Sequence, residues 1–265
     1  MHLTQDLKFQ QSGIRDNMKI GASILAGLKD KIEDSLNFIE SLGIEYAEIL
    51  HQFPNEYIDR DIFESFDLKY SVHAPFMDVN IASLQSQSRR NSIDQVKSSI
   101  DLASDIGAEA VVVHPGLITF LGRNFEDEVY SLADSAIKEI GEYGREVGVL
   151  TTIENMPNFE SMIYQDMYRL NDLLVSLDMS MTLDIGHANH VGYRADEMYF
   201  DSIKHIHAHD NLGDDDSHLP FGEGSIDLKG IITNFEKKNY DGIYIIEVND
   251  YDSIKKSYEY LKKNF

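Results

Sequence analysis

From Lys19 onward the chain alternates short β-rich runs with longer amphipathic ones, and eight of the short runs can be read. They are KIGASI (19–24), EYAEIL (45–50), LKYSVHA (68–74), EAVVVHP (109–115), VLTTIEN (149–155), MSMTLDI (179–185), KHIHAHD (204–210) and IYIIEV (243–248). Between them, apolar residues recur near i, i+3, i+4 and i+7, the spacing that lines one face of a helix. Ile93, Val96, Ile100, Ala103 and Ile106, closed by Gly107, form one such stripe; Val129, Leu132, Ala136, Ile140 and Tyr143, with Gly144 and Gly148 near the end, form another. Eight strands, each followed by a helix through a short loop, predict an α/β fold and a (β/α)8 TIM barrel, although a doubly wound open sheet shares the local pattern. No linker rich in Pro, Gly or Ser and no shift in composition divides the 265 residues, a length that α/β barrels use as one domain, so a single barrel over residues 18–265 is expected. Residues 1–17, MHLTQDLKFQQSGIRDN, lack the apolar core and small-residue cleavage site of a signal peptide and are read as an N-terminal extension, a tag or an early start.

At the C-terminal ends of these runs the residue types change. His73 sits on the third strand, His114 on the fourth and Glu154 on the fifth; Asp184 and His187 follow the sixth, His207 lies on the seventh, Glu247 on the eighth, and the loop after the seventh adds Asp216 and His218. In a barrel all of these point into one mouth, the face where barrel enzymes place their catalytic groups. Singly, each has an ordinary explanation, a satisfied core histidine or a carboxylate capping a helix. Together they gather four carboxylates with little basic sequence nearby, and desolvating that charge without a counter-cation is costly. A bound metal resolves the cost. The chain has no cysteine, so disulfides, thiolate nucleophiles and Cys-ligated zinc are excluded, and the mixed imidazole and carboxylate donors suit zinc, manganese or iron(II). His205, His207 and His209 alternate and share one strand face, so spacing alone does not choose a ligand among them. His51 and His190 are read as substrate-facing or structural. Gly222-Glu223-Gly224 lacks the rest of a dinucleotide or P-loop fingerprint and is read as a compact turn into a helix capped by Ser225 or Asp227. Phe53, Phe76, Phe120, Phe159 and Tyr193 fall in strand-to-helix loops, where they could stack on a substrate or cover the loops.

The formal charge is −23, from 23 Lys plus Arg against 46 Asp plus Glu, with no long basic run. Generic attraction to nucleic acid or anionic lipid is disfavoured, no segment has the apolar length of a transmembrane helix, and a soluble, cytoplasmic protein is expected. Nothing in the sequence fixes an oligomeric state.

The blocks VHAPF, VVHPG, IEN, LDIGHA, HIHAHDN, DSHLPFGEGSID and IIEV occur in this order over nearly the whole chain from residue 18. By these blocks the sequence resembles the xylose isomerase-like barrel superfamily, which includes endonuclease IV and many sugar or sugar-phosphate isomerases and epimerases. Resemblance to the endonuclease IV branch implies up to three zinc ions: one on His73, His114 and Glu154; a second on Glu154, Asp184, His207 and Glu247; a third on His187, Asp216 and His218. Resemblance to the single-metal isomerases and epimerases implies one Mn2+, Mg2+ or Co2+ on Glu154, Asp184, His207 and Glu247, with His187 as a substrate contact. His73, His114, Asp216 and His218 tilt the reading toward the three-metal branch.

Two activities follow. In the first, a bridging hydroxide attacks a phosphate ester, either an abasic or damaged nucleic-acid strand or a smaller phosphoester. In the second, Glu154 and Glu247 act as base and acid beside the carbonyl of a sugar or sugar phosphate. Ligand inventory ranks the phosphoesterase first. Against it stands the loop HQFPNEYIDRD after the second strand, acidic and with Arg60 as its only basic residue, where a duplex-gripping loop should offer several phosphate donors. A non-catalytic metal-binding barrel is the third and weakest reading, because so large a polar cluster is expensive to retain without function.

Overall fold

The structure, a computed structural model, describes residues 18–265; the extension read over 1–17 lies outside them. Eight parallel strands close in chain order: β1 (Lys19–Ser23), β2 (Tyr46–Leu50), β3 (Lys69–His73), β4 (Val111–Val113), β5 (Thr151–Glu154), β6 (Ser180–Asp184), β7 (Ile203–Ala208) and β8 (Ile243–Ile246), with β8 pairing back onto β1. The TIM barrel expected from the alternation is therefore the fold, and the open sheet is excluded.

Seven α-helices surround the strands: α1 (Ile32–Ser41), α2 (Ser86–Ile106), α3 (Glu126–Val147), α4 (Met167–Ser176), α5 (Ile185–Val191), α6 (Leu228–Lys237) and α7 (Tyr251–Asn264). The apolar stripe of α2 is buried at Ile93, Val96, Ile100 and Ala103, and that of α3 at Val129, Ala136 and Ile140. Both helices stop where a glycine takes the left-handed conformation, Gly107 at φ 67° and Gly148 at φ 83°. The expectation of a helix after every strand fails once. Between β2 and β3 only a 3-10 helix (Arg60–Ser65) forms, capped by Asp59; the segment carries Pro54 and clustered acids rather than an apolar stripe long enough for an α-helix.

The barrel interior is layered. At its N-terminal end Tyr46, Ile243 and Ile245 form a small apolar cluster. Above them the filling turns polar: Glu48 pairs in register with Ser71 and Thr182 with His205, all four fully buried, and the Thr152 and Thr182 hydroxyls meet at 2.6 Å. The next inward layer carries His73, Glu154, Asp184 and His207. Among the described residues no helix is long and apolar enough to cross a membrane.

Candidate metal centre

Local backbone chemistry brings the site residues together. Asp184 ends β6 and is the N-cap of α5, its Oδ1 accepting from the His187 amide at 2.6 Å, so His187 stands one turn away over the same mouth. Asn155, next to Glu154, locks the β5 and β6 ends together: its Oδ1 accepts from the Asp184 amide and its Nδ2 donates to the Asp184 carbonyl. Gly186 must be glycine, since a Cβ there would lie 1.9 Å from the His209 ring. The Gly222-Glu223-Gly224 segment is the compact turn expected: Asp210 accepts from the Gly222 and Ile226 amides, and Asp227 caps α6 by accepting from Gly230.

All nine side chains singled out in the sequence meet at the C-terminal mouth. One donor atom from each of Glu154, Asp184, His207 and Glu247 lies within 4.8 Å of the others; the same holds for His73, His114 and Glu154, and for His187, His209, Asp216 and His218. Glu154 joins two of these groups. Its Oε2 faces the Nε2 atoms of His73 and His114 at 3.4 and 3.2 Å, while its Oε1 lies 3.3 Å from His207 Nδ1. Glu247 Oε2 approaches the same Nδ1 at 3.2 Å.

The imidazoles are aimed by their other nitrogens. Nδ1 of His73 donates to the Ala74 carbonyl at 2.8 Å, that of His187 to the Asn155 carbonyl at 2.8 Å, and that of His218 to the Glu247 carbonyl at 2.9 Å. A carbonyl only accepts, so each Nδ1 carries hydrogen and each Nε2 is left facing a carboxylate. His207 is reversed. Its Nε2 lies 2.8 Å from Glu48 Oε1, which leaves Nδ1 toward Glu154 and Glu247. Second partners that fix tautomer and ring orientation are the usual companions of metal-ligating histidines.

The electrostatics show what the cluster lacks. Burial opposes ionisation of Glu154, but His207 and His114 outweigh it and hold the carboxyl well below its usual range; Glu48 is held down likewise by His207 and His205. Burial pulls His207 down, yet the Glu48, Glu247 and Glu154 carboxylates carry it well above its ordinary value. Against the same burial, Asp184 and Asp216 push His187 up to about 10, and Asp216 and Glu247 push His218 up to about 9. His114 goes the other way, its burial dominating. Even so, Glu154 Oε2, Asp184 Oδ2 and Asp216 Oδ1 are buried without a hydrogen-bond partner, which is costly for carboxylates. Orphaned oxygens beside oriented imidazoles fit a divalent cation.

Two participants lie outside the nine: Glu48, which the sequence leaves unmarked, and His209, one of the three alternating histidines among which spacing does not choose. Glu48 is fully buried under His207, with Oε2 accepting from Ser71 Oγ at 2.9 Å and lying 2.8 Å from His205 Nε2. His209 stacks on His218 with centroids 3.9 Å apart, its Nε2 3.2 Å from Asp184 Oδ1 and 3.4 Å from Asp216 Oδ1. His51 and His190 stay outside every donor group among the described residues. His51 Nδ1 meets Ser99 Oγ at 2.8 Å, and His190 packs against Phe159. Of the other loop aromatics, Phe76 stacks on His114 with centroids 4.9 Å apart, Tyr193 is engaged with Asp166 and the Met167 amide, and Phe53 and Phe120 are exposed.

The histidine and carboxylate cluster of this closed (β/α)8 barrel stands at the C-terminal strand ends, the face where barrel enzymes place their catalytic groups. Residues 36–264 match the family described as xylose isomerase-like TIM barrel, and the chain belongs to it. It is similar to a crystallised D-tagatose 3-epimerase-like protein, 30% identical with a TM-score of 0.86 over 93% of this chain and 97% of that one. An uncharacterized protein of Methanocaldococcus jannaschii is 32% identical over 93% of this chain and 89% of its own length. A fructoselysine 3-epimerase of Shigella flexneri matches at 26% over 60% of this chain and 59% of its own. A probable endonuclease 4 of Metamycoplasma arthritidis matches at 26% over 71% and 76%.

Proposed function

We propose that the chain is a divalent-metal-dependent sugar epimerase or isomerase, acting at the carbon beside a ketose or aldose carbonyl. The order given by ligand inventory thereby reverses, phosphoester hydrolysis becoming the second reading. The observation that carries the proposal is the convergence of Glu154 and Glu247 on His207 Nδ1, at 3.3 and 3.2 Å, beside the Asp184 oxygen that has no hydrogen-bond partner. Similarity at 30% identity to a D-tagatose 3-epimerase-like protein, over nearly the whole of both chains, supports the sugar class. So does the lack of a ready phosphate grip in two mouth loops: Arg60 pairs with Asp105, and Arg123 with Glu160 at 2.7 Å.

Glu154, Asp184, His207 and Glu247 would hold the metal, with Glu48 orienting His207 from beneath. A divalent ion bound there would supply Lewis acidity, polarising the sugar oxygens and acidifying the adjacent C–H. One of Glu154 and Glu247 takes the proton from carbon as a carboxylate, and the other returns a proton from the opposite face, inverting that centre. Asn155 and the α5 cap hold Glu154, Asp184 and His187 in register. Phe76, packed on His73 and His114, shields that side of the mouth from water.

The second reading rests on the additional donors, His73 with His114 and His187 with Asp216 and His218, which exceed what one metal needs. One comparison separates the two. Metal-loaded protein incubated in deuterium oxide with fructose, tagatose and psicose is expected to place deuterium on the carbon beside the carbonyl, while leaving an abasic-site duplex and bis(p-nitrophenyl) phosphate uncleaved. Cleavage without exchange would reverse the assignment. A second expectation concerns Glu48: Glu48→Gln removes the anion 2.8 Å from His207 Nε2, and metal affinity measured by chelator competition should fall about 10–100-fold. Unchanged affinity would remove Glu48 from the site.

A further inference from the structure

Next to the metal-centre residues lies a cavity of about 560 Å³, lined by the loops after β2 and β3 and by Gln95 and Ser98 of α2; ligand pockets commonly span roughly 300–1,000 Å³. It adjoins the centre through a single turn. Phe76 faces His73 and His114, while its chain neighbours Pro75 and Met77 line the cavity. Gln52 secures that turn, its Oε1 accepting from the Phe76 and Met77 amides at 3.2 Å each.

The other end of Gln52 is the unusual feature. The residue lines the cavity and is only 3% exposed, yet its Nε2 has no hydrogen-bond partner. A buried amide donor left without an acceptor is costly, which points to an acceptor supplied from outside. Around it stand the carboxylates of Glu56 and Asp78 and the rings of Phe53 and Tyr57, 69% and 94% exposed, and the lining contains no Lys or Arg.

We propose that this cavity is a second subsite, taking the far ring of a substrate whose reacting sugar carries a glycosyl group; the proposal rests on the sugar reading above. Hydroxyls match these groups, since each can accept from Gln52 Nε2 and donate to Glu56 or Asp78. An ammonium group has no lone pair for the amide. A phosphate or carboxylate would meet two carboxylates and no cation. The exposed Phe53 and Tyr57 rings offer faces for the apolar side of a sugar ring, which explains aromatics that cover nothing in the protein itself.

The experiment is calorimetry on metal-loaded protein with fructose, maltulose and isomaltulose, the two disaccharides carrying glucosyl on fructose oxygen 4 or 6. At least one disaccharide is expected to bind about tenfold more tightly than fructose, the gain from one or two added hydrogen bonds with stacking. Tyr57→Ala should cut that advantage to about twofold and leave fructose binding unchanged, and so should Asp78→Asn, a change the left-handed backbone there (φ 58°) accepts. If fructose binds but neither disaccharide gains, the subsite fails and the sugar reading stands. If no sugar binds, both fail. If the variants weaken fructose and disaccharide equally, the cavity is only structural and the proposal is overturned.

Discussion

Glu154→Gln should reduce exchange of the substrate proton by on the order of 10³-fold, the range for losing a positioned acid or base, and should lower bound metal in the same preparation. Two consequences coincide because one side chain has two jobs. Its Oε1 faces His207 Nδ1 and its Oε2 faces His73 and His114, so the amide replaces an anion where at least two imidazoles are aimed. The variant should fold. Gln is nearly isosteric, Glu154 is held in β5 by ladder pairing to β6, and the neighbouring Asn155 bonds are untouched. Circular dichroism and a melting curve check the fold, elemental analysis counts the metal, and deuterium incorporation reads the chemistry. Undiminished exchange would remove the site from the reaction. Retained metal with lost exchange would instead make Glu154 a proton-transfer group and assign metal holding to Asp184, His207 and Glu247.

How much of this was visible in the sequence depends on which face of a strand a residue occupies. The eight runs fall on the eight strands to within a few residues, because continuous Val and Ile stretches such as VVV and IYII describe strands buried on both sides. Six of the nine mouth residues, His73, His114, Glu154, Asp184, His207 and Glu247, were legible for a related reason: polar types interrupting those runs at their C-terminal ends stand where apolar ones would otherwise continue, whereas His187, Asp216 and His218 lie in the segments that follow the sixth and seventh runs. Glu48 escaped notice because EYAEIL reads as an ordinary alternation, in which a Glu is assigned to the solvent face. In a closed barrel that face is the interior. Its register partner Ser71 and the His205 ring above it were the available signal, but only closure brings residues 48 and 205 together. Gln52 left no trace, since its partners are main-chain amides. The choice of activity could not be read from residue types either. Every donor a one-metal epimerase needs is also present in a three-metal hydrolase, so the inventory fits both, and the proton-exchange and cleavage assays are what separate them.

Metal loading should raise the melting temperature, and the gap between loaded and EDTA-treated protein should widen as pH rises from 6 to 9. In the metal-free protein the buried carboxylates are balanced by protons on histidine: His187 is raised to about 10 and His218 to about 9, with burial opposing and Asp184, Asp216 and Glu247 prevailing. A histidine whose folded value exceeds its unfolded one contributes stability that is complete below about 6.5 and is lost progressively as pH climbs to the folded value. Between pH 6.5 and 9 the metal-free protein therefore loses part of what holds its mouth together. Glu154, Asp184 and Glu247 have lowered values, so their contribution is present above the ordinary carboxylate range and fails only in acid. A divalent ion held by Glu154, Asp184, His207 and Glu247 would take the place of the proton on His207 Nδ1 and would neutralise the Asp184 and Glu247 carboxylates that raise His187 and His218, so the loaded protein would escape much of the alkaline loss and its affinity would rise as the competing protons leave. At a metal concentration about 1,000 times Kd the stabilisation is about 4 kcal/mol, or roughly 8–16 °C for a chain of this size. Differential scanning calorimetry in EDTA and in zinc or manganese, at pH 6, 7.5 and 9, reads the gap directly. A gap that stays constant with pH would mean that the histidines are neutral without metal and that the carboxylates, rather than the imidazoles, carry the protons.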